Sequence, residues 1–182
     1  MVPAGTYSLG PSEGRFVLRV YRGKGLASAM GHDLVLEVTR WSAEVTVDDD
    51  PTRSSLTATA DVQSLEVREA TGGAKPLSDS DRADIKKNIK KVLSTDRYPE
   101  STFRSTEVRP PTGDRLMVAG ELTLKGVSRP AEFEVTVKDG HAKATSTVVQ
   151  SEWGIEPFSA FMGALKVRDA IEVEIEASIP NG

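Results

Sequence analysis

The sequence predicts an all-β fold: an antiparallel sheet folded as a sandwich or closed as a barrel, with one amphipathic helix and a short helical or loop cap. Three observations carry this expectation. Apolar and polar residues alternate through most of the chain, turn-forming clusters separate the alternating runs, and one segment switches to helical spacing.

The runs can be taken in order. "RFVLRVYR" places Phe16, Leu18 and Val20 on one face, and "DLVLEV" does the same with Leu34, Leu36 and Val38. "WSAEVTV" aligns Trp41, Ala43, Val45 and Val47, and "SLTATADVQSL" aligns Leu56, Ala58, Ala60 and Val62. "STFRSTEV" and "HAKATSTVV" read as further strands. Between them, "RLMVAGELTL" aligns Leu116, Val118, Gly120, Leu122 and Leu124, and "AEFEVTV" aligns Phe133, Val135 and Val137, with "KGVSRP" as the turn of that hairpin. In "AIEVEIEASI", Ile171, Val173 and Ile175 alternate strictly with Glu172, Glu174 and Glu176. The total is about eight or nine strands. "DDDP" (48–51), "PPTGD" (110–114) and "KDG" (138–140) supply turns.

"SDSDRADIKKNIKKVLSTDRYP" breaks the period. Ile85, Ile89, Val92 and Leu93 fall on one helical face, Ser78 or Ser80 can cap the start, and Asp79, Asp81 and Asp84 sit where the helix dipole favours anions. Its lysines read as a solvated face, with attraction to anionic headgroups as the alternative. "EATGGAKP" ahead of it is expected to be a flexible link. The cap is "EPFSAFMGALKV", carrying Phe158, Phe161, Met162 and Leu165 across one end of the barrel.

At 182 residues, one domain spanning 1–182 is expected. A net charge of −4 argues against a nucleic-acid partner, which selects a basic face. With no cysteine there is neither a disulfide nor a thiolate metal site. "MVPAGTYSLGP" does not read as a secretory signal, so the chain as written is expected in the cytoplasm, or in the periplasm or outside the cell if a signal peptide has been removed. No run approaches the ~18 apolar residues of a membrane span, so stable insertion is not expected.

Chemistry-bearing motifs are sparse. His32 in "AMGHDLVLEV" has no second histidine at metal-ligand spacing, and its neighbour Asp33 points to the opposite face of a strand. It reads as a polar residue at the rim, and His141 as a solvated turn residue. "TGGAKP" fails as a phosphate loop because Pro76 follows Lys75, "GKGLASAMG" lacks dinucleotide-loop spacing and reads as a loop, and no G-x-S-x-G elbow exists. No catalytic residue, metal site or cofactor is therefore expected. What remains is the apolar face, on which Ala58, Ala60, Gly120, Ala142 and Ala144 are small. A barrel of about eight strands is either filled by side chains or holds one small ligand. Strand parity leaves both open. If a cavity exists, its lining would be Phe16, Leu18, Leu36, Ala58, Ala60, Leu122, Phe133 and Val135, with Phe158, Phe161 and Met162 at its mouth.

"RYPESTFRS" (97–105), "GELTLKGVSRPAEFEV" (120–135), "SEWGI" (151–155) and "GALKVRDAIEVEIEA" (163–177) stand in the order seen in the YceI-like family, which the chain resembles over most of its length. The resemblance implies an extended, lipocalin-like antiparallel barrel with a helix at its side or mouth. It also implies non-enzymatic binding, storage or transport of a long apolar ligand: a polyisoprenoid, a quinone-type molecule or a fatty-acid derivative. Two alternatives stand beside it. One is an enzyme acting on a hydrophobic metabolite with His32 as acid or base; the other is a ligand-free structural or stress-response module. Edge strands leave a homodimer open.

Overall fold

Every run read as alternating forms a strand over most of its length, and four further strands appear where alternation is weak or the segment is short. The structure, a computed structural model, describes residues 2–25 and 30–179. The loop expected over "GKGLASAMG" lies partly outside them. In chain order the strands are β1 (Gly5–Leu9), β2 (Gly14–Val20), β3 (His32–Val38), β4 (Trp41–Val47), β5 (Ser55–Asp61), β6 (Leu65–Gly72), β7 (Glu100–Val108), β8 (Arg115–Leu124), β9 (Val127–Lys138), β10 (His141–Val149), β11 (Ser159–Ala160), β12 (Leu165–Lys166) and β13 (Ala170–Ser178). One α-helix, α1 (Asp79–Leu93), stands between β6 and β7.

Eleven strands form one antiparallel sheet in the order β1-β4-β5-β7-β8-β9-β10-β13-β2-β3-β6. It is curled into a half-barrel. Phe16 of β2 meets Trp41 of β4 edge-on at 6.2 Å, although these strands lie far apart in the order. Among the described residues no ladder joins β1 to β6, so curling brings the two ends near each other without sealing them.

Local chemistry explains the departures from simple alternation. The run "SLTATADVQSL" is not one strand. The Asp61 carboxylate accepts from the Gln63 amide at 2.8 Å and turns Val62–Ser64 into a 3₁₀ turn, after which β6 begins. The link expected over "EATGGAKP" is strand as far as Gly72. "KGVSRP" is a turn only at Lys125 and Gly126, whose φ values of 49° and 77° suit a two-residue hairpin. Pro130 sits inside β9, beyond the point where the ladder to β10 ends at Glu134. Its missing N–H is harmless there.

Helix α1 forms as its pattern requires. Ser78 and Asp81 make a reciprocal capping box, and Ser94 ends the helix in the left-handed region. The helix is laid against the β6 edge by Arg82, whose guanidinium donates to the Val67 carbonyl at 2.9 Å, and by Lys86 on Glu66 at 2.6 Å. Ile89 and Leu93 pack on one apolar cluster, Val92 and Leu93 on the other. An edge that would otherwise be free to pair is thereby covered.

The convex face is a charge ladder. Lys143 bridges Glu174 and Glu176 at 2.9 Å each, Arg19 reaches Glu174 at 3.3 Å, and Arg68 and Arg15 converge on Glu37. The Lys143 hydrogen bond, with Arg19 assisting, holds the Glu174 carboxyl below the usual carboxylate range. A carboxyl depressed in the folded state stabilises it above the unfolded-state value, and this is lost as pH falls through the folded value. Glu174→Gln is therefore expected to lower Tm slightly near pH 7 and to converge on the wild type near pH 3, which flattens the acid limb of the Tm profile. An unchanged acid limb would show that Glu174 does not contribute to it.

Candidate functional site

Strand register assembles the concave face row by row. One row runs Val67, Leu36, Leu18 and Val173 across β6, β3, β2 and β13. A second runs Phe16, Ile175, Ala144, Val135 and Leu116 from β2 round to β8. The opposite wall carries Ala43, Ala58, Phe103 and Leu122, with Trp41 beside Ala60. Two apolar clusters result, and Phe16, Leu18 and Leu93 pack against both, so the concave surface is continuous.

The degree of burial along this face is informative. Leu36, Ala60, Leu122 and Phe133 are buried, whereas Phe16, Leu18, Ala58 and Val135 are only half-buried. Leu34, Leu56, Leu116, Ala144, Ile171 and Ile175 are half-buried as well. These side chains sit at the centre of a sheet, on the face away from the charge ladder. In a filled core they would be sealed to native packing density. No large side chain among the described residues is completely removed from solvent. The concave face is an apolar trough whose lining retains partial exposure to solvent.

Small residues contribute unequally to that room. Gly120 contributes none, because a Cβ there would lie 2.3 Å from the Arg104 carbonyl oxygen and 2.6 Å from the Phe103 ring. Phe103 folds over the glycine and stacks edge-on with Phe133 at 4.9 Å. Ala58, between Ala43 and Phe103, and Ala144, between Val135 and Ile175, are half-buried.

The remaining predicted positions lie at one end. Phe158 is half-buried at the base of the β11–β12 hairpin, where its carbonyl accepts from the Val167 amide at 3.0 Å; it packs in neither cluster. The segment expected as a helical or loop cap is this hairpin. Phe161 and Met162 stand at its tip, 75% and 107% exposed. Below the hairpin is a cleft of about 650 Å³ lined by Gly23, Lys24, Glu156, Pro157, Ser159, Gly163, Ala164 and Lys166–Asp169. Val167 belongs both to this cleft and to the margin of an apolar cluster, so cleft and trough adjoin.

His32 takes no part in the trough. Its Nε2 lies 2.8 Å from the Lys75 carbonyl, so that nitrogen carries the proton and donates, and the ring packs on Gly73. Asp33 faces the other way and accepts from the Arg22 amide at 2.9 Å. Among the described residues no three His, Cys, Asp or Glu side chains gather at metal-binding distance. Sequence reasoning also missed the residues that close the trough between β9 and β10. Trp153 and Ile155, 3% and 2% exposed, fill that gap, and the Trp153 indole donates to the Leu122 carbonyl at 2.9 Å.

An apolar trough inside a curled antiparallel sheet, flanked by one helix, can be compared with known proteins. The model of the YceI-like domain matches residues 15–179. The chain belongs to the YceI-like family. Protein YceI of Shigella flexneri is 40% identical over 58 residues, which is 31% of this chain and 30% of that protein. A UPF0312 protein of Yersinia pestis matches to the same extent. These matches span under a third of the curated relatives. Among solved structures, BcnA of Burkholderia cenocepacia superposes with a TM-score of 0.64 at 16% identity, covering 88% of this chain and 94% of that one. The YceI protein of Campylobacter jejuni superposes with a TM-score of 0.54 at 14% identity, covering 79% and 83%. Identity at this level establishes the shared fold.

Proposed function

We propose that the trough is a binding site and that the protein carries or stores a long apolar molecule: a polyisoprenoid, a quinone-type compound or a fatty-acid derivative. The observation that carries this reading is the run of half-buried apolar side chains from Phe16 and Leu18 through Ile175, Ala144 and Val135. Membership of a family implied to bind such molecules supports it.

Magnitudes select the ligand class. Each CH₂ taken from water contributes about 0.8 kcal/mol, so a chain of about 20 carbons has a gross term near ~16 kcal/mol. Association costs ~4–15 kcal/mol, and micromolar affinity requires about 8 kcal/mol net. A chain of about four isoprene units reaches that range, whereas a single-ring metabolite would need specific polar contacts that the trough does not offer. A catalytic role for His32 finds no support, since its ring is tied to a backbone carbonyl outside the trough.

The test is native mass spectrometry of freshly purified protein, followed by organic extraction of what it releases. A discrete adduct of lipid or isoprenoid mass is the expected result and would name the ligand class. A clean apo mass that persists after incubation with long-chain quinones and fatty acids would overturn the carrier reading.

A further inference from the structure

From the hairpin tip and the basic groups around it, we infer that this end of the protein docks on the surface of an anionic lipid bilayer, with Phe161 and Met162 as the inserted side chains. Among the described residues only four large hydrophobic side chains are well exposed, and three of them belong to this end. Phe161 and Met162 are adjacent at the tip. Met30, 67% exposed, precedes Gly31, which packs against Leu165 at the foot of the same hairpin.

The backbone holds them outward. Phe161 and Met162 have φ values of 51° and 57°, in the left-handed region that bulky residues rarely occupy. Gly163 follows at 89°, and the Ala164 amide closes the turn on the Phe161 carbonyl at 3.1 Å. In this left-handed turn both large apolar side chains stand out from the protein, 75% and 107% exposed.

The charge pattern says what covers them. The chain carries a net −4, yet Lys24, Lys166 and Arg168 all line the cleft below the tip. None of these three makes an ion pair among the described residues. Arg168 donates from Nε to the Arg22 carbonyl at 3.0 Å and lies over the Tyr21 ring, so Lys24 and Lys166 are the two cations left to meet a headgroup. The acidic groups nearby are partly committed. Asp169 accepts from the Ser151 amide and hydroxyl, and Asp33 accepts from the Arg22 amide; Glu156 is the remaining carboxylate of the cleft. On α1, Lys86, Lys87 and Lys90 are each paired, with Glu66, Asp84 and Asp96, and among the described residues Lys91 alone of its lysines is not, with no exposed apolar side chain beside it. Apolar side chains at an apex with unpaired cations behind them match the layering of a bilayer, acyl chains beneath anionic headgroups. Among the described residues no helix is long and apolar enough to cross a membrane; the contact inferred is one of the tip with the bilayer surface.

Flotation with vesicles of phosphatidylcholine alone, and of phosphatidylcholine mixed with phosphatidylglycerol, tests the inference. The protein is expected to float with the anionic vesicles and to bind phosphatidylcholine alone more weakly, by about fivefold for each engaged cation. Phe161→Ser with Met162→Ser should reduce binding by on the order of a hundredfold. Lys24→Glu with Lys166→Glu should abolish the preference for anionic vesicles. Both tip side chains already stand in water, so the melting curve should not change. Should the double serine variant fail to fold, Phe161→Trp decides, because the emission it adds must be quenched by bromine-labelled acyl chains. No flotation of the wild type, flotation retained by the folded tip variant, or an unquenched indole in the Phe161→Trp variant would overturn the inference. So would a dimer that the tip variant dissociates, which would show that a second copy covers the tip. Vesicle binding is read without cargo, so docking and cargo binding fail separately.

Discussion

Replacing Ala58 and Ala144 together by phenylalanine is expected to abolish binding of long-chain ligands while leaving the protein folded. Both alanines face the trough and both are half-buried, Ala58 between Ala43 and Phe103, Ala144 between Val135 and Ile175. Both positions face the concave side, so a ring added at either projects toward the opposite wall. If each ring displaces on the order of four methylenes of ligand, the loss per site is about 3 kcal/mol, or on the order of a hundredfold in affinity. Titration of a fluorescent fatty acid or quinone analogue measures it. The same substitution at Gly120 would drive atoms into the Phe103 ring and lower stability, so it serves as a contrast. Full retention of binding by a folded Ala58→Phe, Ala144→Phe protein would place the ligand elsewhere.

Strand parity made most of this trough legible in advance. Every lining position read from alternation on β2, β3, β5, β8 and β9 lies on the concave face, because a single buried face fixes register for a whole strand. What parity could not show is how full the trough is. Ala58 and Gly120 look alike in sequence, yet one is half-buried and the other is covered by an aromatic ring from the next strand. β6 was hidden because its alternation is weak, with "VREATG" offering one large apolar side chain in six residues. The cap was illegible for a different reason. "PFSAFMG" has the composition of a core segment, and only the left-handed backbone at Phe161 and Met162 turns those side chains outward. Family resemblance identified the architecture, while the tip and its cations follow from the geometry of this chain.

Trp153→Ala is expected to destabilise the fold by ~3–5 kcal/mol, a large share of the ~5–15 kcal/mol that holds a domain of this kind together. The reason lies in a split of the sheet. β9 and β10 pair only over Glu134–Lys138 and His141–Thr145; beyond that they diverge, with Ser146 reaching the Glu132 carbonyl at 2.7 Å. The turn at Gln150–Trp153 closes this split. It is anchored by Gln150, whose amide donates to the Arg168 carbonyl at 3.1 Å, and is ended by Gly154 at φ 66°. Removing the indole opens a cavity among Leu122, Phe133 and Val148 and leaves the Leu122 carbonyl without its donor. Trp153→Phe separates the two effects. It keeps most of the packing and loses the hydrogen bond, so it should lose about 1–3 kcal/mol. Urea unfolding should show both as shifts of the midpoint at constant m. Trp153 packs in the cluster that carries Phe16, Val135 and Ala144, so the alanine variant should also bind cargo more weakly, because water then enters the trough through its wall. A loss below about 1 kcal/mol for Trp153→Ala would mean that β9 and β10 close the gap by themselves, and that the trough does not depend on this plug.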